Sequence, residues 1–181
     1  NDLRYKWDLY IQTKNGTLNA LTKTGMICLK YRDYGTNGST MANDWPIYRY
    51  ADALLYYAEA ICRRDGKPDD EAMEMVNMIH RRAYGLSPIQ PAANDYKLSD
   101  YSTSEKFIDL VLKERGYETC FEGKRYSDLK RCGKLAEYAL AAGRVSSESD
   151  VKDAAYWWPI PTDEFNYNTA LDPTKDQNPG Y

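Results

Sequence analysis

Two amphipathic helical stripes separated by one short break lie between residues 48 and 82, and no other stretch restricts the fold of this chain as tightly. In the first, Ala51, Leu54, Leu55, Ala58, Ile61 and Cys62 recur at helical spacing and share one face. Asp65-Gly66 stops that pattern. Pro68 then stands where a helix start tolerates proline, and Asp69, Asp70 and Glu71 complement the positive end of the next dipole. The second stripe is Ala72, Met75, Val76 and Ile79, with Arg81-Arg82 at the negative end. So short a connection makes a helical hairpin. A lone pair cannot bury its own apolar face, so further elements must cover it.

Residues 114–131, ERGYETCFEGKRYSDLKR, are the densest run of charge. Glu114, Glu118 and Glu122 follow one another at i,i+4 spacing, and Arg125, Asp128 and Arg131 continue at i,i+3. Like charges four apart repel on an isolated helix, so cations from elsewhere are expected to neutralise the acids. Three readings stand together: a solvated face laced with salt bridges, an ordered acid–arginine network that holds two helices together, and an active site. Arg125, one turn from both Glu122 and Asp128, is the expected central cation.

The remaining elements follow from pattern and punctuation. Residues 3–11 alternate as a strand, Asn15-Gly16 signals a hairpin turn and residues 26–31 form a second strand. Residues 32–46 are loop, as are 84–103. A helix capped by Thr103 or Ser104 runs to about Cys120, Gly123 interrupts it before a short helix over 124–131, and another ends at Gly143. In the tail, Pro159-Ile160-Pro161 is extended and Thr162 caps one helical turn. The fold class is mainly α: a tetratricopeptide-like helix pair, further helices, long loops and a small β-hairpin near the N-terminus.

The net charge of −3 argues against nucleic acid as a partner, because no basic stripe is available for phosphates. No apolar run has membrane-spanning length. No basic start leads into an apolar segment, and NDLRYKW reads as an interior cut from a longer protein or a processed form. Cys28, Cys62, Cys120 and Cys132 form no CxxC pair and no cluster with His80, which leaves no expected metal site and no cofactor. Cys62 and Cys120 read as buried free thiols.

Four blocks in order resemble the SusD/RagB family of Bacteroidetes surface lipoproteins. They are Tyr48-Arg49-Tyr50-Ala51-Asp52-Ala53-Leu54-Leu55 with Ala58-Glu59-Ala60; Val76-Asn77 through Arg81-Arg82-Ala83; Glu114-Arg115, Glu118, Phe121-Glu122-Gly123, Arg125 and Asp128-Leu129; and Pro159-Ile160-Pro161, Glu164 and Gln177-Asn178-Pro179-Gly180-Tyr181. The resemblance covers about residues 26–181 and corresponds to the C-terminal part of a member. Gly116-Tyr117, Thr119 and Trp157-Trp158 depart from the family's usual filling. As a domain, residues 1–181 divide into hairpin and loop (1–47), helix pair (48–83), helices (104–143), and polar loop with extended tail (144–181). The resemblance implies an outer-membrane protein on the cell-surface side, anchored by an N-terminal lipid that lies outside this chain. It also implies a TonB-dependent outer-membrane transporter as partner and non-catalytic capture of glycans or other nutrients by loops.

The residues support a sugar-binding reading on their own terms. The chain carries 17 tyrosines and 4 tryptophans against 3 phenylalanines. Flat aromatic faces stack on sugar C–H faces while amides meet hydroxyls. Tyr31, Tyr34, Asn43, Trp45, Tyr84 and Tyr96 are the expected ligand-binding residues. Trp45 beside Pro46 reads equally as a stacking platform or as a hydrophobic staple on the helix start. Trp157 and Trp158, beside prolines, read as packing. The alternatives are a helical-repeat interaction scaffold and a glycoside hydrolase. Arginines interleaved with the acids of 114–128 hold them ionised, the wrong environment for a general acid, so no catalytic residue is expected.

Overall fold

The computed structural model describes residues 2–4, 9–11, 13–14, 17–18, 26–31, 33, 35 and 42–181. The chain forms two compact units, Asn1–Arg125 and Tyr126–Tyr181. Four short strands lie near the start: β1 (Leu9–Ile11), β2 (Thr13–Lys14), β3 (Thr17–Leu18) and β4 (Met26–Cys28). β1 pairs antiparallel with β4, with Tyr10 opposite Ile27, and β2 pairs antiparallel with β3, with Thr13 opposite Leu18. The strand expected over 3–11 is shorter than its pattern, since Leu3 and Arg4 lie in a turn and a helical residue. The turn expected at Asn15-Gly16 lies outside the described residues.

Three helices build the core of the first unit: α1 (Tyr50–Asp65), α2 (Asp70–Ala83) and α3 (Ser104–Glu118). α1 packs on both α2 and α3. Every residue of the α1 stripe is buried, and it meets Ala72, Val76, Ile79 and Ala83 of α2 and Phe107, Ile108, Val111 and Leu112 of α3 in one apolar core. α3 thus supplies part of the cover that the helix pair requires. On α2 the buried methionine is Met73, while Met75 is half-buried. Both fit a 3.6-residue period, and the choice follows from the width of the stripe, which extends over Met73, Asn77 and His80 toward α3.

The ends are set by local chemistry. Gly66 ends α1 in the left-handed region at φ 72°. Asp69 caps α2 by accepting the Ala72 N–H at 2.8 Å, which leaves Pro68 just outside the helix. Thr103 caps α3 through the Lys106 N–H at 3.4 Å. α3 stops at Glu118, short of Cys120: Thr119 still returns its N–H and its hydroxyl to the Arg115 carbonyl, each at 2.8 Å, but Phe121 at φ 63° takes the backbone out of the helical region. Cys120 therefore falls outside the helix and is half-buried, whereas Cys62 is fully buried. The four cysteines are free thiols.

The second unit contains α4 (Arg125–Arg131, beginning at the boundary residue), α5 (Leu135–Ala141) and α6 (Thr162–Tyr167). Pro161 holds the cap position of α6 and Thr162 is its first residue, with no side-chain cap. The Gln177 amide clasps the extended Pro-Ile-Pro segment: it accepts the Ile160 N–H at 2.8 Å and donates to the Ile160 carbonyl at 3.1 Å. Asn178 Nδ2 donates to the Trp158 carbonyl at 2.7 Å. Trp157 and Trp158 are 55 % and 81 % exposed, contrary to their reading as packing residues. The clasp fixes the backbone of this segment and leaves the indoles outside.

Candidate functional site

The three glutamates of α3 and the turn that follows it are all buried, with side-chain exposures of 1 %, 3 % and 0 % for Glu114, Glu118 and Glu122. Their cations come from distant segments. Arg4 lies 3.1 Å from Glu114 and 3.6 Å from Glu118. Arg49, at the entrance of α1, donates Nη1 to Glu118 Oε1 at 2.7 Å and Nη2 to Glu122 Oε1 at 2.6 Å. Arg82 of α2 reaches Glu118 at 2.5 Å, and Lys30 reaches Glu122 at 2.7 Å. On α1, Asp52 pairs with Lys124 and with the fully buried Arg115, whose guanidinium also lies 4.0 Å from the Tyr56 ring centre. This is the ordered network between helices, and it excludes the solvated-face reading. Glu122 is met by Lys30, Arg49 and Lys124, whereas Nη1 of Arg125 donates to the Leu112 carbonyl.

Burial pushes the Glu122 carboxyl up, yet the hydrogen bonds and charges of Arg49 and Lys30 outweigh it and hold the group at about 2. Glu114 is likewise held below the carboxylate range: its burial is opposed by His80, Arg4 and Tyr96. Acids kept ionised this firmly serve as anchors.

One aromatic cluster lies at the Glu122 end. Tyr31 and Trp45 stack with ring centres 4.4 Å apart at 19°. Asn43 Nδ2 donates to the Tyr31 carbonyl at 2.9 Å, a tie between the two segments that carry the rings. Lys30, Tyr31, Asn43, Asp44, Pro46 and Arg49 line a cleft of about 410 Å³. Trp45 is 57 % exposed, an exposure at odds with a staple. Tyr34 lies outside the described residues.

A second cluster lies at the Glu114 end. Tyr84 and Tyr96 flank His80, with ring centres 4.7 Å and 4.2 Å from the imidazole. These residues, with Arg4, Glu114 and Tyr117, line a cavity of about 380 Å³. Tyr96 is fixed from three sides. Its N–H donates to Asn77 Oδ1 at 2.8 Å, its carbonyl accepts from Asn77 Nδ2 at 3.0 Å, and its hydroxyl donates to Glu114 Oε1 at 2.8 Å. Burial, then the ionised Glu114, push the Tyr96 phenol up, so it stays protonated. Arg81, at the negative end of α2 as expected, is buried and anchors the loop through Asp95, Glu74 and the Pro88 carbonyl.

Five of the six expected ligand-binding residues fall into two places, Tyr31, Asn43 and Trp45 in one and Tyr84 and Tyr96 in the other. Sequence reasoning missed Lys30, Arg4 and His80 as parts of these surroundings. The glutamates that Arg4 and Lys30 meet lie more than eighty residues away, beyond any local spacing, whereas His80 stands one helical turn before Tyr84, a spacing that could have placed it beside that ring. Among the described residues, no group of three or more His, Cys, Asp or Glu residues could hold a metal ion, and no helix is long and apolar enough to cross a membrane.

A profile of the SusD family matches residues 4–181. The chain belongs to the SusD family. The match starts earlier than the 26–181 expected from motifs, and it includes Arg4. Among relatives of this SusD-family chain, SusD-like protein P2 of Formosa agariphila is 29 % identical over 81 % of the chain and 28 % of its own length. The starch-binding protein SusD of Bacteroides thetaiotaomicron is 28 % identical over 87 % of the chain and 26 % of its own length. Among solved structures, a SusD homologue from Bacteroides thetaiotaomicron superposes with a TM-score of 0.63 at 31 % identity, covering 88 % of the chain and 32 % of the homologue. NanU of B. fragilis superposes with a TM-score of 0.58 at 31 % identity, covering 99 % of the chain and 36 % of NanU. The SusD-family chain therefore spans between a quarter and two fifths of the length of these proteins.

Proposed function

We propose that this chain is part of a non-catalytic glycan-capture protein that works on the cell-surface side of the outer membrane, anchored by an N-terminal lipid, and passes its ligand to a TonB-dependent transporter. Family membership supports the class, and one relative carries the name of a starch-binding protein. The observation that carries the reading is the Tyr31–Trp45 stack: an exposed indole lies on the ring of Tyr31, a residue that lines a cleft together with Asn43 and Asp44. A pyranose ring stacks on such a face while its hydroxyls meet the amide and the carboxylate. Tyr84 adds a second aromatic contact in the separate cavity. Tyr96 contributes its ring there, because its hydroxyl is engaged with Glu114.

The test is Trp45→Ala in the full-length protein, using the oligosaccharide that binds most tightly on a glycan array. Binding weakens by about 1–3 kcal/mol while the melting temperature barely changes. Unchanged affinity with a large drop in melting temperature would return Trp45 to a packing role and refute the reading.

A further inference from the structure

We infer that Glu122 is the positioning residue of the Tyr31–Trp45 platform, acting through Lys30 on one side and Arg49 on the other. The inference rests on the reading of that stack as the glycan-binding surface. Tyr31 is the immediate neighbour of Lys30, and Trp45 precedes Arg49 by one short segment broken by Pro46. Both cations converge on a single carboxylate. Lys30 Nζ lies 2.7 Å from Glu122 Oε1 and donates to the carbonyls of Glu118 at 2.7 Å and Cys120 at 3.3 Å. Arg49 reaches Glu122 Oε1 with Nε at 3.1 Å and Nη2 at 2.6 Å. The two chain segments that carry the stacked rings are thus clamped to the same point of the turn after α3.

That turn is built to deliver the carboxylate. Phe121 has φ 63°, a left-handed conformation that a residue other than glycine seldom adopts, and Gly123 follows at φ 75°. The result inverts the usual placement: Phe121 is 47 % exposed while the Glu122 side chain is fully buried. Hydrophobic burial alone would choose the opposite arrangement. A task for the carboxylate accounts for it.

The physical effect is preorganisation. With both segments clamped, the rings are parallel before the sugar arrives, and ordering the loop does not subtract from binding. A neutral amide at position 122 keeps the shape and forfeits the charge-assisted bonds, so only a fraction of molecules presents the platform. Apparent affinity falls by that fraction.

The experiment uses the full-length protein and its tightest array oligosaccharide, with Glu122→Gln, Trp45→Ala and the double variant measured by calorimetry. Glu59→Gln, which neutralises a buried acid on α1 that pairs with Arg63 and lines neither the cleft nor the cavity, controls for general destabilisation. Glu122→Gln is expected to weaken binding about fivefold or more, Glu59→Gln to leave it unchanged, and Trp45→Ala to cost less in the Glu122→Gln background than in wild type. Equal affinity losses in Glu122→Gln and Glu59→Gln, or fully additive losses in the double variant, would overturn the positioning role. Unchanged binding in Trp45→Ala alone would instead refute the platform. Should Glu122→Gln fail to fold, Lys30→Met cuts the Tyr31 tie only. It is expected to weaken binding in the same way, and wild-type affinity there overturns the inference.

Discussion

The guanidinium of Arg125 lies across the backbone of Gly116: a Cβ at residue 116 would sit 3.1 Å from Arg125 Nη1 and 3.2 Å from its Cζ. The same Nη1 donates to the Leu112 carbonyl at 2.6 Å. Gly116 breaks the propensity of α3 and departs from the family's usual filling, and this close approach is the reason. The glycine leaves room for Arg125 to close over the helix.

A branched side chain at 116 must therefore move Arg125. Gly116→Val is expected to cost about 2 kcal/mol, the worth of a charged hydrogen bond plus the displaced packing. In an Arg125→Ala background the cost should fall by half or more, a coupling read from a double-mutant cycle of denaturant melts. Strict additivity would show that the two residues do not share the space.

Arg49 serves two buried carboxylates at once. Arg49→Ala removes the fork that serves both Glu118 and Glu122. The expected cost is about 3 kcal/mol or more, because buried carboxylates lose a partner. Arg49→Lys recovers only part, since a point charge does not fork. A denaturation midpoint within experimental error of wild type for Arg49→Ala would contradict the network.

Acid should weaken the fold through these same groups. The folded Glu122 carboxyl is held at about 2 against an ordinary 4.5, a depressed value. Its contribution is fully present above pH 4.5 and is lost as pH falls toward 2. Glu114 and Asp52 are depressed as well and act in the same direction. Stability measured by urea melts between pH 6 and pH 3 is expected to fall, and less steeply in Glu122→Gln than in wild type.

No hydrolysis is expected of any oligosaccharide that the full-length protein binds. A general acid must hold a proton near neutral pH, and Glu114, Glu122 and Asp52 are all held ionised. Release of reducing ends that vanishes in Glu122→Gln or Asp128→Asn would promote the hydrolase alternative.

Gly180 is expected to resist substitution. It sits at φ 96°, and a Cβ there would lie 2.7 Å from the Ala154 backbone nitrogen. Gly180→Ala should destabilise the Tyr126–Tyr181 unit by on the order of 1–3 kcal/mol. Limited proteolysis of that unit reads the effect, and wild-type resistance would argue against it.

What the sequence determined by itself is what depends on near neighbours. The stripe from Ala51 to Cys62, the stop at Gly66 and the cap at Thr103 rest on periodicity and on hydrogen bonds spanning three or four residues, so they are legible without a fold. The ladder of Glu114, Glu118 and Glu122 was legible as a demand for cations, though not for which ones. Spacing points to Arg125, the near candidate, whereas the fold supplies Arg4, Lys30, Arg49 and Arg82, because nothing local brings residue 4 to residue 114. The tertiary structure decided the rest by closing distant segments on one another. It separated Tyr84 and Tyr96 from the Tyr31–Trp45 stack and left Trp157 and Trp158 outside on a backbone clasped by Gln177 and Asn178. Exposure and ion pairing are properties of which surfaces meet, and chain pattern specifies only the faces available to meet.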